Sequence, residues 1–377
     1  MPYESVDALQ RALTKDVFHY AKDAKKAAGR ALGTLVEIIT FYLLKTWGYE
    51  KNVGIERRLP EYANPDITHN VEFTLHPSSL IYDVTIPKNR LPITSGKIIK
   101  EGGCPAWAHQ VKHAQLLSSK SILKNACVLF EDHSRFAVAC LGDPTGTSFP
   151  VRVCELLSHP FAVVECKRVG VEEGQGKGPQ TIEKAKQGAY VARTVSSLQK
   201  VRMADGAMNG VIEMESGALR CEPYDKLLAE IVRSDSAAMI RDFILTVGVV
   251  SNHGNWFSKE DHNKELKVLA QSYDWLLFLT DLGLSEFVES LLVRPVQRNQ
   301  PIRDAFVASY TGKKGRNCFT KVQIALDADR ALQEYFAENV ARIEGWFNVI
   351  SPGERSIMDL KASLSALASK DWKDILS

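Results

Sequence analysis

Two uninterrupted apolar runs constrain the fold of this chain more than any other feature of its sequence. Residues 243–250 (FILTVGVV) and 275–280 (WLLFLT) are too short to span a membrane as helices, and they show no alternation of polar and apolar positions. Runs of this kind are typical of strands that are covered on both faces. Segments with helical spacing lie at residues 28–47, 224–241, 284–293 and 323–377. We therefore expect an α/β core with helical additions.

The length and composition indicate an ordinary globular protein. The chain has 377 residues, enough for two or three domains, and 47 basic residues nearly balance 45 acidic ones, which gives a net charge of +2. Its seven cysteines are scattered without a Cys-x-x-Cys pair, which favours reduced thiols and argues against a structural zinc site. No basic-then-apolar leader and no run of about 18 apolar residues is evident. We expect a soluble, cytoplasmic protein without a membrane partner.

Several shorter elements can be placed along the chain. Residues 71–75 and 80–86 alternate like two strands of a hairpin, and residues 105–123 have a helical pattern. Strand patterns follow at residues 126–130, 135–141 and 150–155. After them comes a sequence of strand, Gly-rich loop and helix, at residues 161–167, 170–178 and 181–201.

The strand at residues 161–167 (FAVVECK) carries the residues with the clearest chemical meaning. Glu165 and Lys167 are two positions apart, so their side chains project from the same face, whereas Cys166 faces the other way. A carboxylate and an ammonium at the end of a buried strand are costly unless they are paired or bind a metal. Together they suit phosphodiester hydrolysis, because the carboxylate can bind Mg²⁺ and the ammonium can orient water and offset transition-state charge.

A magnesium site needs at least one further carboxylate. Asp143 precedes the strand at residues 149–156, which could pair with residues 161–167 and bring its carboxylate to the end of that strand. Asp83 is a single acid among apolar strand residues, and it ranks level with Asp143. Asp66 follows Pro65 in an irregular stretch and ranks third.

Each of these residues also has a simpler interpretation. Glu165 and Lys167 could form an ordinary ion pair at a sheet edge, Asp143 could serve only as a turn residue, and Asp83 could be a satisfied strand acid. The apolar run before Glu165 and the Gly-rich loop after Lys167 favour the catalytic interpretation.

Basic residues are concentrated in two segments, although the chain as a whole is nearly neutral. Residues 86–124 and residues 294–321 each contain seven basic residues and one acid, and they could form two walls of a groove for phosphates. A third basic group follows the Glu-x-Lys strand. The candidate DNA-contact residues are Lys177, Lys184, Lys186, Gln187, Lys313, Lys314 and Arg316.

The strand FAVVECK, the Gly-rich loop and the following helix resemble the core of the PD-(D/E)XK nucleases, in particular the type II restriction endonucleases. The resemblance spans about residues 30–202 and implies a mixed central sheet flanked by helices. It also implies that Glu165 and Asp143 or Asp83 bind Mg²⁺, that Lys167 completes the catalytic group, and that the next helix faces DNA. Glu37 corresponds to the acid that many members carry in the helix before the sheet.

The resemblance implies a Mg²⁺-dependent, sequence-specific endonuclease that cuts double-stranded DNA. A homodimer would match a palindromic site, and a cognate DNA methyltransferase would belong to the same system. Residues 1–290 would form the nuclease core with a basic insertion near 86–124, and residues 291–377 a mainly helical region with a basic DNA-contact loop. Alternatives are a structure-selective repair or recombination nuclease and a DNA-binding protein without catalytic activity.

Overall fold

The computed structural model describes most of the chain and contains twelve α-helices and seventeen strands in the described parts. The described residues are 5–19, 23–57, 71–103, 105–143, 146–169, 186, 189, 190, 192, 196–252, 264–310 and 318–376. The helices are α1 (Val6–Asp16), α2 (Ala24–Thr46), α3 (Ser95–Gly102), α4 (Tyr224–Arg233), α5 (Ala237–Ile240), α6 (Lys264–Ser272), α7 (Asp281–Val288), α8 (Gln300–Tyr310), α9 (Leu326–Glu338), α10 (Val340–Glu344), α11 (Ile357–Ala368) and α12 (Trp372–Ile375).

The strands fall into four sheets. They are β1 (Val53–Arg57), β2 (Val71–Leu75), β3 (Ser78–Pro87), β4 (Ile93–Thr94), β5 (Gln115–Leu117), β6 (Ile122–Lys124), β7 (Cys127–Glu131), β8 (Arg135–Leu141), β9 (Ser148–Leu157), β10 (Ala162–Val169), β11 (Gln199–Arg202), β12 (Met208–Glu213), β13 (Leu219–Pro223), β14 (Leu245–Asn252), β15 (Trp275–Leu279), β16 (Gln323–Ala325) and β17 (Phe347–Ser351).

A six-stranded mixed sheet with the order β1-β2-β10-β14-β15-β17 forms the centre of the protein. Strand β2 is antiparallel to both of its neighbours, β1 and β10; β10, β14 and β15 are parallel, and β17 returns antiparallel to β15. Every residue of β14 and β15 is buried, as their continuous apolar sequences predict. The expected α/β class with a mixed central sheet is therefore confirmed.

Helices and other elements cover both faces of this sheet. Phe41 of α2 stacks on Phe73 of β2, with ring centroids 5.9 Å apart. On the opposite face, a second apolar cluster contains Val169 of β10, Val250 of β14 and Leu269 of α6. Helix α2 has the length and hydropathy of a membrane span, but 67% of its most apolar window is buried inside the protein, as expected of a core helix.

The second sheet has the order β3-β9-β8-β7 and is antiparallel throughout. It adjoins the central sheet at β1, where the Arg57 guanidinium lies 3.6 Å from the centroid of the Phe136 ring and 2.9 Å from a Glu131 carboxylate oxygen. The expected hairpin between residues 71–75 and 80–86 is wrong. Strand β2 joins the central sheet and β3 joins the second one, so the chain leaves one sheet for the other at His76 and Pro77.

A four-stranded sheet with the order β16-β6-β5-β4 combines strands of the first basic segment with β16, which follows the second basic segment directly. Strands β4, β5 and β6 come from residues 86–124, which are therefore not the long helix predicted for residues 105–123, and β16 comes from the C-terminal region. That region also supplies β17 to the central sheet, in addition to its five helices. The fourth sheet, β11-β12-β13, begins within the segment predicted as a helix at residues 181–201; most of that segment lies outside the described residues.

Candidate active site

Strand β10 presents Glu165 and Lys167 on one face, as the sequence predicts. The Lys167 Nζ atom lies 2.7 Å from Glu165 Oε1, and the Glu165 side chain is 1% exposed. Cys166 faces the other side of the sheet, and burial raises the pKa of its thiol. Two of the predicted residues therefore form an ion pair between a buried carboxylate and a partly exposed ammonium, at the position where the sequence places them.

The second carboxylate at this pair is Glu72 of β2. Strand β2 runs antiparallel to β10, with Phe73 opposite Val164, so Glu72 comes next to Glu165. The backbone N–H of Glu72 donates a hydrogen bond to Glu165 Oε2 at 3.2 Å, and Lys167 Nζ lies 3.3 Å from Glu72 Oε1. The Lys167 ammonium therefore bridges two carboxylates on neighbouring strands.

A third acid extends this arrangement across the sheet. In β1, Glu56 lies between Ile55 and Arg57, whose partners in β2 are Phe73 and Val71, so Glu56 is opposite Glu72. Its backbone is in the left-handed region, with φ at 51°, which is uncommon for a residue other than glycine. Neighbouring strands are about 4.7–4.9 Å apart, so three carboxylates side by side repel one another unless cations lie between them.

Lys321 supplies a second ammonium to the same group of acids. Its Nζ atom lies 3.1 Å from Glu37 Oε2 of α2 and 3.1 Å from Glu56 Oε1, and it also forms an ion pair with Glu72 Oε2. The Lys321 side chain is 5% exposed. We name the group the carboxylate cluster; its members are Glu37, Glu56, Glu72 and Glu165, with Lys167 and Lys321 between them.

The donor atoms of the carboxylate cluster suit a divalent cation. Carboxylate oxygens are the ligands that Mg²⁺ prefers. By formal charge, four carboxylates face two ammonium groups, and one divalent cation would balance the difference. Within the described part of the chain, no group of three or more Cys, His, Asp or Glu side chains is arranged to hold a metal ion by itself. The ammonium groups of Lys167 and Lys321 lie between the acids.

The structure places the two aspartates of the sequence prediction elsewhere. Asp83 lies on β3 of the second sheet, where its carboxylate is 3.3 Å from Nε of Arg152 and about half exposed. Asp143 is exposed after the end of β8. The prediction for Asp143 relied on a pairing between β9 and β10, and this is wrong because β9 pairs with β3 and β8 while β10 pairs with β2 and β14. Asp66 lies outside the described residues.

Most of the predicted DNA-contact residues fall outside the described parts of the chain. These are Lys177, Lys184, Gln187, Lys313, Lys314 and Arg316. Lys186 is described and helical; it is buried, and its Nζ atom lies 5.2 Å from the centroid of the Tyr190 ring. Ala189 belongs to the same apolar cluster as Val169, which lies on the face of β10 that carries Glu165.

The two basic segments meet, but acids partly neutralise them. Ion pairs join Lys112 to Glu131, Arg90 to Glu101 and Arg298 to Glu338 at distances of 2.5–2.7 Å. The pairing of β16 with β6, together with the hydrogen bond from the Asn125 side chain to the Lys321 carbonyl, places the end of residues 294–321 beside the end of residues 86–124. Their surface is therefore less positive than the residue counts indicate.

Sequence reasoning did not identify Glu56, Glu72 or Lys321. A signal for Glu72 does exist, since it interrupts an apolar strand (VEFTL) in the same way as Asp83 interrupts its own.

Comparisons with family models, curated proteins and solved structures find no match for this chain. The chemistry of the site must therefore be judged from its own geometry.

Proposed function

We propose that this protein is a Mg²⁺-dependent endonuclease of the PD-(D/E)XK type that cuts double-stranded DNA at a specific sequence, as type II restriction enzymes do. The observation that carries the proposal is the adjacency of Glu72 and Glu165 on neighbouring strands, bridged by Lys167. An acid on one strand and a Glu-x-Lys pair on the next are what the resemblance implies. Glu37, from the helix before the sheet, adds the further acid that many members of that superfamily carry.

In this proposal Glu72 and Glu165 hold the metal, and the other acids of the carboxylate cluster complete its surroundings. Mg²⁺ supplies Lewis-acid stabilisation of negative charge on the scissile phosphate. Lys167, held 2.7 Å from Glu165, donates a hydrogen bond to the attacking water and offsets the charge that develops during attack. Burial of Glu165 strengthens these electrostatic interactions, because little water remains to screen them.

The binding partner in this proposal is double-stranded DNA. The two basic segments supply candidate phosphate contacts near the carboxylate cluster, because Lys321 is the last residue of the second segment and β16, which follows it, pairs with β6. A homodimer would place two such sites on a palindromic sequence. A methyltransferase of the same system would protect the host's own DNA, and the proposed nuclease would act in the cytoplasm.

The test is digestion of a long defined duplex by the full-length protein in Mg²⁺, followed by sequencing of the fragment ends. We expect discrete fragments with a shared end sequence. Glu165→Ala and Lys167→Met should each lower the initial rate by at least about 100-fold. Glu155→Gln is the matched control, since Glu155 is also a strand carboxylate in an ion pair, 3.1 Å from Arg135, but outside the carboxylate cluster.

Three other outcomes are informative. Full cleavage by Glu165→Ala would show that the proposed site is wrong. Cleavage at forks or ends without a shared sequence would favour a structure-selective nuclease. Tight DNA binding with no cleavage in any divalent metal would favour a DNA-binding protein without catalytic activity.

A further inference from the structure

Lys321 is unusual among the charged groups of the carboxylate cluster because it comes from a distant part of the chain. Glu37, Glu56, Glu72, Glu165 and Lys167 all belong to α2 or to neighbouring strands of the central sheet. Lys321 lies in the connection that leads into β16 of the small sheet. The position of Lys321 is therefore determined by the small sheet, whereas the positions of the acids are determined by α2 and the central sheet.

The backbone at Lys321 is held firmly, whereas its charged group is at the end of a flexible side chain. The Asn125 side chain donates a hydrogen bond to the Lys321 carbonyl at 3.0 Å, and the Asn125 N–H donates to the Val322 carbonyl at 2.9 Å. The lysine side chain has four carbons and rotates about several bonds. The ammonium can therefore leave the acids while the backbone stays in place.

The three contacts of the Lys321 ammonium are all carboxylate oxygens, one each from Glu37, Glu56 and Glu72. Oxygens from several carboxylates around one positive charge are also the environment that a divalent cation seeks. Lys321 and a cation would thus compete for the same oxygens. Lys167 differs, because its partners are Glu165 on its own strand and Glu72 on the neighbouring strand β2.

We propose that Lys321 is a built-in counter-ion that occupies the acids of the carboxylate cluster when no metal is bound, and that a divalent cation displaces its ammonium. The metal is the one that the proposed nuclease function requires, so the inference rests on that function. In this proposal Lys321 acts through the acids that hold the metal and does not itself contact the substrate. It neutralises the row of acids in the metal-free protein, and it lowers the affinity of the site for metal.

The first experiment measures metal binding without DNA or turnover. Calcium is the probe, and its binding to the full-length protein is followed by isothermal titration calorimetry. Lys321→Met removes the ammonium but keeps a long apolar side chain, so Ca²⁺ should bind at least about tenfold more tightly than to the wild type, a difference of about 1.4 kcal/mol. Glu72→Gln should abolish the binding, which assigns it to the carboxylate cluster.

Lys370→Met is the matched control. The Lys370 side chain is 4% exposed and its ammonium lies 3.4 Å from Asp235, so the variant also removes a buried positive charge, but at another place. Its Ca²⁺ affinity should equal that of the wild type. Unchanged or weaker Ca²⁺ binding in Lys321→Met would overturn the proposal, as would a complete lack of binding in both proteins.

A second measurement on the wild type covers the case in which Lys321→Met fails to fold. Acetylation of Lys321 by a small amine-reactive reagent, measured by mass spectrometry, should be slow in chelator and several-fold faster in Ca²⁺. Equal rates would show that the ammonium stays among the acids and would overturn the proposal. A negative result in either the Ca²⁺ titration or the acetylation experiment would overturn the role of Lys321 but would leave Glu165-dependent DNA cleavage unaffected. The proposed nuclease function and the role of Lys321 are therefore tested separately.

Discussion

His76 connects the two large sheets, and its environment predicts a loss of stability in mild acid. Its side chain is fully buried, with Nδ1 2.8 Å from the Leu157 carbonyl oxygen and Nε2 2.7 Å from the Thr74 hydroxyl. A carbonyl oxygen only accepts, so Nδ1 carries the proton and Nε2 accepts from Thr74. Burial, with a contribution from Arg57, lowers the pKa of His76 well below its ordinary value of 6.5.

The sign of the effect follows from proton binding. Because the pKa is lower in the folded state, the unfolded chain binds more protons below pH 6.5, so acidification favours unfolding. The stabilisation is fully present above pH 6.5 and is lost as the pH falls towards the folded value. One pKa unit corresponds to about 1.4 kcal/mol, and pH 5.0 lies 1.5 pH units below 6.5, so by pH 5.0 the contribution of His76 should have fallen by up to about 2 kcal/mol.

The assay is urea unfolding at 25 °C, in chelator, from pH 7.5 to pH 5.0. His76→Asn keeps a donor for the Leu157 carbonyl but does not titrate in this range. The variant should be less stable at pH 7.5, yet its free energy of unfolding should fall less over this interval than that of the wild type, by a difference of up to about 2 kcal/mol. Burial also lowers the pKa of His159, and this second histidine is present in both proteins. Parallel pH profiles for the two proteins would refute the reasoning.

Two further predictions concern the acids and the packing of the central sheet. Glu72→Gln should lower the initial rate of Mg²⁺-dependent plasmid cleavage by at least about 100-fold, whereas Asp83→Asn should cleave like the wild type; the opposite ranking would return Asp83 to the metal site. Gly248→Ala should lower the free energy of unfolding in urea by about 1–3 kcal/mol, because the new Cβ would lie 2.7 Å from the Tyr273 ring. An unchanged urea midpoint would show that the ring can move aside.

The α/β class and the pair on β10 could be predicted because their signals are local. An apolar run that ends in Glu-x-Lys fixes both the strand and the common face of Glu165 and Lys167. The continuous apolar runs of β14 and β15 likewise indicate that both faces of these strands are buried. These conclusions need only the chemistry of consecutive residues, and for this reason the structure agrees with them.

The remaining acids could not be predicted, because their selection depends on strand order. Glu72 and Asp83 each interrupt a short apolar strand, so the local pattern does not distinguish them. The difference is that β2 lies beside β10 in the central sheet, whereas β3 lies beside β9 in the second sheet. A pairing between strands about 90 residues apart depends on loop closure and on packing of the whole sheet, not on local propensity. Lys321 depends in addition on the pairing of β16 with β6.

The pairing of β16 with β6 has a consequence for the order of events during synthesis. A ribosome adds about 5–20 residues per second, so roughly 8–30 s separate the appearance of Glu165 from that of Lys321. During this interval the nascent chain holds the acids of β2 and β10 without the ammonium that later neutralises them. Late, long-range closure of this kind also slows folding, because the entropy of a long loop is lost before its contacts form. The carboxylate cluster can therefore be completed only when most of the chain has been made.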